Sequence, residues 1–200
     1  MDTIRLAKFL LGKTLTRVAA RGRMRGRIVE TEAYVTGDAA AHSFRGLTLR
    51  NRSLFLERGH AYVYFTYGNH YMLNVSGAAE GVGEGVLIRA MEPLEGIELM
   101  QRNRGIKNVL DLARGPGRLA QALQIDKGLD GIDLCTDARL WLGAPVRTAA
   151  PIGESVRIGI TKEANRVLRF FERGNPYVSG PRRLNSAILE ARATAPARRL

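Results

Sequence analysis

The sequence predicts a single α+β domain built on a curved antiparallel β-sheet, with a protruding β-hairpin and helices around the sheet. The chain has 200 residues, which is the length of one ordinary domain. Strand-like and helix-like segments interleave irregularly, and hairpin signals join neighbouring strands. No repeat or linker divides the chain. We therefore expect one domain over residues 1–180, followed by a basic, flexible tail over residues 181–200.

The first elements are a helix and a strand region. Asp2 is a suitable N-cap for a helix that runs to about Leu11 and stops at Gly12. Residues 15–35 then have the pattern of strand. Because successive side chains in a strand alternate, RGRIVETEAY predicts one face shared by Ile28, Glu30, Glu32 and Tyr34. Two carboxylates thus lie on a face where a sheet normally has core residues.

The middle of the chain predicts a loop, a hairpin and another strand. The loop TGDAAAHSFRGLTLRNRSLF leads into GHAYVYFTYGNHYMLNVS, where Gly68 and Asn69 supply the turn of a hairpin. GEGVLIRAMEPL follows as a strand. Its alternation predicts one face with Leu87, Arg89 and Met91 and another with Val86 and Ile88.

The later elements are shorter. Pro93 is expected to open a helix that runs to about Arg102. Pro116 is expected to open a second helix, in which two leucines four residues apart share a face. Residues 136–156 predict loops with one short strand. RIGIT and RVLRFFERGNPYVSG predict two late strands.

The charge of the chain favours a polyanionic partner. The net charge is +12, and only five of the 31 basic residues are lysine. The planar guanidinium of arginine suits phosphate, so nucleic acid is the first candidate. A genomic bias toward arginine is the alternative interpretation.

The single cysteine and the N-terminal segment bear on the compartment. Cys135 alone excludes an intramolecular disulfide and a cysteine-rich zinc site. The apolar run in MDTIRLAKFLLGKTL is too short and too interrupted for a signal peptide or a membrane span. We expect a cytoplasmic protein that does not associate with membranes.

The tyrosine-rich hairpin, YVYFTYGNHYMLNVS, is unusual for packing alone. Each buried tyrosine hydroxyl needs a hydrogen-bond partner, so an ordinary core would use leucine, isoleucine and valine. Tyr62 and Tyr64 share one side of the first strand, and Tyr67 lies at the tip. A ring at a stiff turn could enter a base stack while other rings hold the displaced base. The alternative is a hairpin that simply covers a core.

Glu32 and His42 are the candidates for chemistry. A buried carboxylate near an aromatic side chain can position or deprotonate a water, although most strand glutamates are merely solvated. His42 lies among small residues that would let the backbone approach a ligand. The histidines lack the spacing of a metal site, and no GxSxG, P-loop or dinucleotide pattern occurs, so we expect no metal and no cofactor.

Seven blocks of the sequence together resemble the alkyladenine (3-methyladenine) DNA glycosylase family, in its bacterial form. The blocks are VETEAY, AAHS, RNRSLF, YVYFTYGNHYMLNVS, VLIRAMEPLEG, ARGPGRLAQAL and RFFERGNPYVSG. Their order and spacing match from about Leu6 to Ser179. GPGRL departs from the family, which often has serine and lysine there.

The resemblance implies a role for each matching residue. Glu32 corresponds to the general base, and Arg89 to a residue that orients the catalytic water or a phosphate. Tyr67 corresponds to the side chain that fills the hole in the duplex. The rings around the flipped base correspond to Tyr34, His42 and Tyr64. Asn74 corresponds to a residue on the pocket floor that would clash with guanine.

The implied activity is base excision repair of double-stranded DNA by a monomer that would associate with the nucleoid. Alkylated or deaminated purines, such as 3-methyladenine and hypoxanthine, would be released by hydrolysis, which leaves an abasic site. Two alternatives stay open. The protein could be a non-catalytic binder of distorted nucleic acid, or a metal-dependent nuclease that uses Glu30 and Glu32.

Overall fold

The sheet of the computed structural model is antiparallel and curls into a half-barrel, which confirms the predicted fold class. The structure describes residues 1–66, 68–148 and 150–186. The helices are α1 (Thr3–Leu10), α2 (Ile97–Arg104), α3 (Pro116–Ala122) and α4 (Arg182–Asn185). The strands are β1 (Thr14–Ala19), β2 (Gly22–Tyr34), β3 (Ala61–Thr66), β4 (His70–Ser76), β5 (Gly85–Glu95), β6 (Leu140–Gly143), β7 (Ile152–Ser155) and β8 (Arg169–Glu172).

The long strand β2 is the centre of the sheet. One of its edges pairs with β5 almost from end to end. The other edge pairs first with β1 and then, further along, with the short strand β8. Since β8 also pairs with β7, and β5 with β4, every other strand reaches β2 through at most two neighbours.

The predicted hairpin is confirmed as β3 and β4. The amide of Asn69 donates to the carbonyl of Thr66 across the turn, at 3.3 Å. Gly68 has a φ of +71°, a conformation that glycine adopts without strain. Tyr67, the predicted tip residue, lies outside the described residues.

The main core lies on one face of the sheet, beneath α1 and α3. Leu6 and Leu10 of α1 are buried there. Leu119 and Leu123 are buried as well, which confirms the predicted apolar face of the Pro116 helix. The predicted cap of α1 is also confirmed, since the side chain of Asp2 accepts a hydrogen bond from the amide of Arg5 at 2.7 Å.

Two of the three register shifts in the β2–β5 ladder change which side chains share a face near the carboxylates. Ile28 pairs with Met91 and Glu30 with Ala90, so Val29 is an extra residue in β2. Thr31 then pairs with Ile88, so Arg89 is an extra residue in β5. A β-bulge of this kind re-aims the side chains on either side of it.

The bulges correct two predicted faces. Ile28 and Met91 pack in the main core instead of beside the carboxylates. Beyond the bulges, Glu30, Glu32 and Arg89 lie together on the other face, where their side chains contact one another. A strict period of two does not account for an inserted residue, which is why the sequence pattern placed Ile28 and Met91 wrongly.

Other boundaries also differ from the prediction. Residues 15–35 are strand as predicted, with a turn at residues 20–21 that divides them into β1 and β2. Residues 136–156 contain two short strands instead of one. Pro93 lies inside β5, and the helix begins after Gly96. RIGIT is a loop because Gly159, at φ +80°, cannot continue a strand. The helix α4 lies within the segment predicted as a tail, of which residues 187–200 are outside the described residues.

The two glycines that flank α2, Gly96 and Gly105, should differ in how much stability the protein loses when a methyl group is added. Gly96→Ala would place a Cβ 2.4 Å from the carbonyl oxygen of Arg23 at φ +72°, whereas Gly105→Ala meets nothing within 4 Å at φ +67°. We expect Gly96→Ala to lower the free energy of unfolding by about 2–4 kcal/mol, from strain plus overpacking. The matched Gly105→Ala should lose only about 1 kcal/mol. Urea unfolding of both variants measures this, and equal losses would contradict it.

Candidate functional site

A cavity of about 390 Å³ opens beside the hairpin, on the face of the sheet that carries the carboxylates. Most of its lining consists of aromatic and apolar side chains, and Thr66, Asn74 and Arg89 add polar groups. It is lined by Tyr34, Ala40, His42, Leu54, Tyr62, Tyr64, Thr66, Met72, Asn74, Gly85, Leu87, Arg89, Pro116, Ile158, Gly159 and Ile160. Strands β2 to β5 supply one part of this wall. The start of α3 at Pro116, a 3-10 turn at Leu54 and two loops supply the rest.

The cavity brings together most of the residues that the sequence singled out. Five of them line it, namely Tyr34, His42, Tyr64, Asn74 and Arg89. Glu32 does not line it, because its side chain is fully buried directly behind Tyr34 and Arg89. Tyr67 lies outside the described residues.

Three rings form the aromatic side of the cavity. The ring centroids of His42 and Tyr64 are 4.4 Å apart, and those of Tyr62 and Tyr64 are 5.3 Å apart. His42 Nδ1 lies 2.9 Å from the Tyr62 hydroxyl. Burial, together with the nearby charge of Arg50, lowers the pKa of His42, so its ring is neutral near pH 7.

Asn74 lies at the base of the cavity because of its position in the sheet. It is opposite Tyr62 on β3 and opposite Leu87 on β5, so strands flank it on both sides. Its side-chain amide donates to the carbonyl of Tyr62 at 3.3 Å. The residue is 5% exposed, and that fraction is part of the cavity lining. A polar side chain on a central strand is held in one place.

Three donors hold the carboxylate of Glu32. Its Oε1 accepts from the amide of Ile158 at 2.8 Å and lies 3.2 Å from Nη1 of Arg89. Its Oε2 accepts from the hydroxyl of Tyr34 at 3.0 Å. All three donor residues line the cavity. Glu32 is therefore separated from the cavity only by the residues that donate to it.

Glu30 binds two guanidinium groups at once. Its Oε1 accepts from Nε of Arg89 at 2.9 Å and from Nε of Arg169 at 2.7 Å. Its Oε2 accepts from the amide of Ser179 at 2.7 Å. Arg89 thus lies between Glu30 and Glu32, with its Nε on one carboxylate and its Nη1 on the other.

The two carboxylates have opposite shifts in pKa, although they are two residues apart. Burial raises the pKa of Glu32, and the attraction of Arg89 only partly offsets it. Burial acts on Glu30 as well, but the charges of Arg89 and Arg169 outweigh it and lower the pKa of Glu30. Glu30 therefore stays ionised over a wide pH range, whereas Glu32 binds a proton more readily than an ordinary glutamate. Neighbouring carboxylates whose pKa values diverge often mark an acid–base site.

A sequence model of the methylpurine-DNA glycosylases matches residues 1–176 of this chain. The chain belongs to the methylpurine-DNA glycosylase family. The predicted resemblance is thereby confirmed, and membership indicates a DNA glycosylase for alkylated bases, with DNA as its substrate.

Proteins from several organisms are similar over almost the whole glycosylase. One from Mesorhizobium japonicum is 62% identical over 183 residues, which are 92% of this chain and 88% of the relative. One from Paraburkholderia phytofirmans is 51% identical over 92% of this chain and 86% of the relative. One from Methanoculleus marisnigri is 48% identical over 89% of this chain and 94% of the relative. Each is named "Putative 3-methyladenine DNA glycosylase".

Part of the glycosylase cavity was not predicted from the sequence. The loop of residues 157–160 was interpreted as a strand, yet it lines the cavity and its Ile158 amide holds Glu32. Arg157 in this loop is buried against Asp38, which also received no role. The glycine of RIGIT was a signal against a strand. Nothing in the local sequence pairs Arg157 with a residue 119 positions away.

Two kinds of feature are absent from the part of the glycosylase that the structure describes. Over these residues, no group of three or more histidine, cysteine, aspartate or glutamate side chains is arranged to hold a metal ion. No helix among them is long and apolar enough to cross a membrane.

The hydroxyl of Tyr34 is expected to hold down the pKa of Glu32. Its hydrogen bond to Oε2 favours the ionised carboxylate, so Tyr34→Phe removes that donor and should raise the pKa of Glu32 while the ring remains. The measurement is a pH titration of the Glu32 carboxyl carbon by ¹³C NMR, assigned with Glu32→Gln. Tyr62→Phe is the matched control because the Tyr62 hydroxyl contacts His42 instead. An unchanged pKa in Tyr34→Phe would count against this assignment.

Proposed function

We propose that this glycosylase flips alkylated or deaminated purines, including 3-methyladenine and hypoxanthine, out of double-stranded DNA into the cavity. A water activated by Glu32 then hydrolyses the N-glycosidic bond and leaves an abasic site. The observation that carries this proposal is an aromatic cavity whose wall is backed directly by a buried Glu32–Arg89 pair. The net charge of +12 supports binding of the DNA backbone.

The rings of the cavity support a role in holding a flipped base. Tyr34, His42 and Tyr64 present aromatic surface, and stacking on such a surface contributes about 1–3 kcal/mol per base. The carbonyl of His42 already accepts from the side chain of Asn51, so the amide of His42 is the backbone group assigned to the edge of the base. Tyr67 is assigned to fill the gap in the duplex. Unstacking a base step costs about a few kcal/mol, which such a wedge offsets.

The chemistry assigned to Glu32 follows from its contacts. Hydrolysis of an N-glycosidic bond develops positive charge on the sugar, as in other glycosides. An alkylated base already carries a positive charge and leaves readily, whereas neutral hypoxanthine takes up a proton as it leaves. A water bonded to Arg89 would lie beside Glu32, since Nη1 of Arg89 is 3.2 Å from Oε1. Because burial raises the pKa of Glu32, its ionised form is a stronger base than an exposed glutamate.

A second candidate, a non-catalytic binder of distorted DNA, is favoured by one observation. The carboxylate of Glu32 has no exposed surface, and both of its oxygens already accept hydrogen bonds from the protein. A binder would use the same cavity and would need no activated water. Replacement of Glu32 distinguishes the two functions, because only the enzyme depends on the charge of this side chain.

We expect Glu32→Gln to abolish base release and to retain DNA binding. The change is nearly isosteric and removes the general base, whose contribution is typically about 10²–10⁴-fold in rate. The measurement is single-turnover base release, with EDTA present, from duplexes that carry one inosine or one 3-methyladenine. The wild type should leave an alkali-labile abasic site. None of the described residues that line the cavity is lysine, so borohydride should trap no covalent adduct.

The matched control is Glu154→Gln, which removes an exposed partner of Lys8 away from the cavity and should leave the rate unchanged. Full activity of Glu32→Gln would assign the base to another group. Binding without base release by the wild type on both duplexes would favour the non-catalytic binder. A covalent adduct would contradict the hydrolytic, monofunctional mechanism. Sedimentation of the protein with and without DNA tests the proposed monomer.

Asn74 is proposed to exclude guanine. Its position at the base of the cavity would oppose the exocyclic amino group of that base. We expect Asn74→Ala and Asn74→Gly to release guanine or its relatives from DNA, at rates that exceed the wild-type rate by about tenfold or more. Chromatography of the released bases measures this. If both variants keep the wild-type substrates, guanine is excluded elsewhere in the cavity.

A further inference from the structure

Arg157 and Asp38 form a buried ion pair behind the cavity. Both side chains are completely buried. Nη2 of Arg157 donates to Oδ1 of Asp38 at 3.0 Å, and Nη1 donates to Oδ2. Nη1 also donates to the carbonyl of Ala33 at 3.2 Å. This two-point geometry is the most directional that a guanidinium and a carboxylate adopt.

The pair connects three separate parts of the cavity wall. On the carboxylate side, Oδ1 of Asp38 accepts from the amide of Ala40, which lines the cavity. On the guanidinium side, the Cζ of Arg157 lies 4.6 Å from the centroid of the Tyr34 ring. The next residue, Ile158, both lines the cavity and donates to Glu32.

Neither loop in this arrangement is held by regular secondary structure. Residues 35–51 and 156–168 lie outside the strands and helices. Their backbone therefore lacks the ladder of hydrogen bonds that fixes a strand. The Arg157–Asp38 pair is the charged contact that joins the two loops, and it joins them where they meet the end of β2.

The pair thus contacts Tyr34 and adjoins Ile158, which are two of the three residues that donate to Glu32. The ring of Tyr34 rests on the guanidinium, and its hydroxyl donates to Oε2. The amide of Ile158 follows Arg157 in the chain and donates to Oε1. The third donor, Arg89, comes from β5 and does not depend on the pair.

The geometry points to a positioning role: the Arg157–Asp38 pair holds Tyr34 and the Ile158 amide in register with the carboxylate of Glu32. This inference rests on the proposed function of Glu32 as general base. It concerns two residues that touch neither base nor water. Loss of the pair would therefore act through Tyr34 and Glu32, not through a contact of its own with the substrate.

Several charged or titratable groups face Glu32. Arg89 from β5 and Tyr34 and Glu30 from β2 act on its pKa, and Arg169, opposite Glu32 on β8, bonds to Glu30. Helix α1 packs on the opposite face of β2, where the hydroxyl of Thr31 donates to the carbonyl of Ala7. Of these groups, only Tyr34 is in contact with Arg157. A change in the pair should thus remove the Tyr34 and Ile158 donors and leave the others in place.

The experiment compares Asp38→Asn and Arg157→Lys with Glu172→Gln in the full chain. Glu172 is the matched control because it forms an equally buried pair with Arg27 and does not line the cavity. In Asp38→Asn and Arg157→Lys we expect the pKa of Glu32, followed by ¹³C NMR, to rise. The acidic limb of the single-turnover rate should move to higher pH. The rate near pH 7 should fall by about tenfold, while affinity for a duplex with a tetrahydrofuran abasic analogue changes by less than about twofold.

A structural role alone would give a different result. All three variants would lose thermal stability, and the pKa of Glu32 would be that of the wild type, or would move equally in Glu172→Gln. Either outcome overturns the inference. If Asp38→Asn does not fold, the double variant Asp38→Asn/Arg157→Gln removes both charges and leaves neither unpaired. It should recover stability but keep the raised pKa of Glu32.

The measurements distinguish failure of the positioning role of the Arg157–Asp38 pair from failure of the proposed catalytic function of Glu32. The titration of Glu32 needs no substrate, so it tests the positioning role even if the wild type releases no base. Conversely, base release that depends on Glu32 with an unchanged titration in Asp38→Asn would uphold the catalytic proposal and overturn this one.

Discussion

The guanidinium of Arg89, buried between the carboxylates of Glu30 and Glu32, is the interaction on which the site depends. Removal of one partner from such a buried pair typically costs about 3–5 kcal/mol, because an uncompensated charge remains. The three side chains can meet only because bulges in β2 and β5 place them on one face. The central position of β2, with partners on both edges, holds the bulges in place.

The cluster also separates the roles of its two carboxylates. Glu30 is shared by two guanidiniums and a backbone amide, which keep it ionised. Glu32 has one guanidinium, shared with Glu30, and burial dominates its pKa. One carboxylate is therefore a fixed charge that orients Arg89. The other binds a proton more readily than an ordinary glutamate, as the general base proposed for this glycosylase would need.

Sheet and loops contribute to the cavity in different ways. Strands β2 to β5 fix Glu32, Asn74 and Arg89 through backbone pairing, which leaves little freedom in their positions. The loops carry His42 and Ile158 and rely on buried side chains instead. Asn51 bonds to the carbonyl of His42, and Arg157 bonds to Asp38. Polar side chains inside these loops thus act as the anchors that backbone ladders provide elsewhere.

Local patterns in the sequence were sufficient for part of the fold. Alternation, caps and turn residues depend on neighbours in the chain, so the hairpin, the helices at Asp2 and Pro116, and the face shared by Glu30 and Glu32 were predicted correctly. The family resemblance identified five residues that line the cavity. The tertiary structure alone decided the two bulges, the loop of residues 157–160 and the Arg157–Asp38 pair. Each of these arises from contacts between residues far apart in the chain, which no local period encodes.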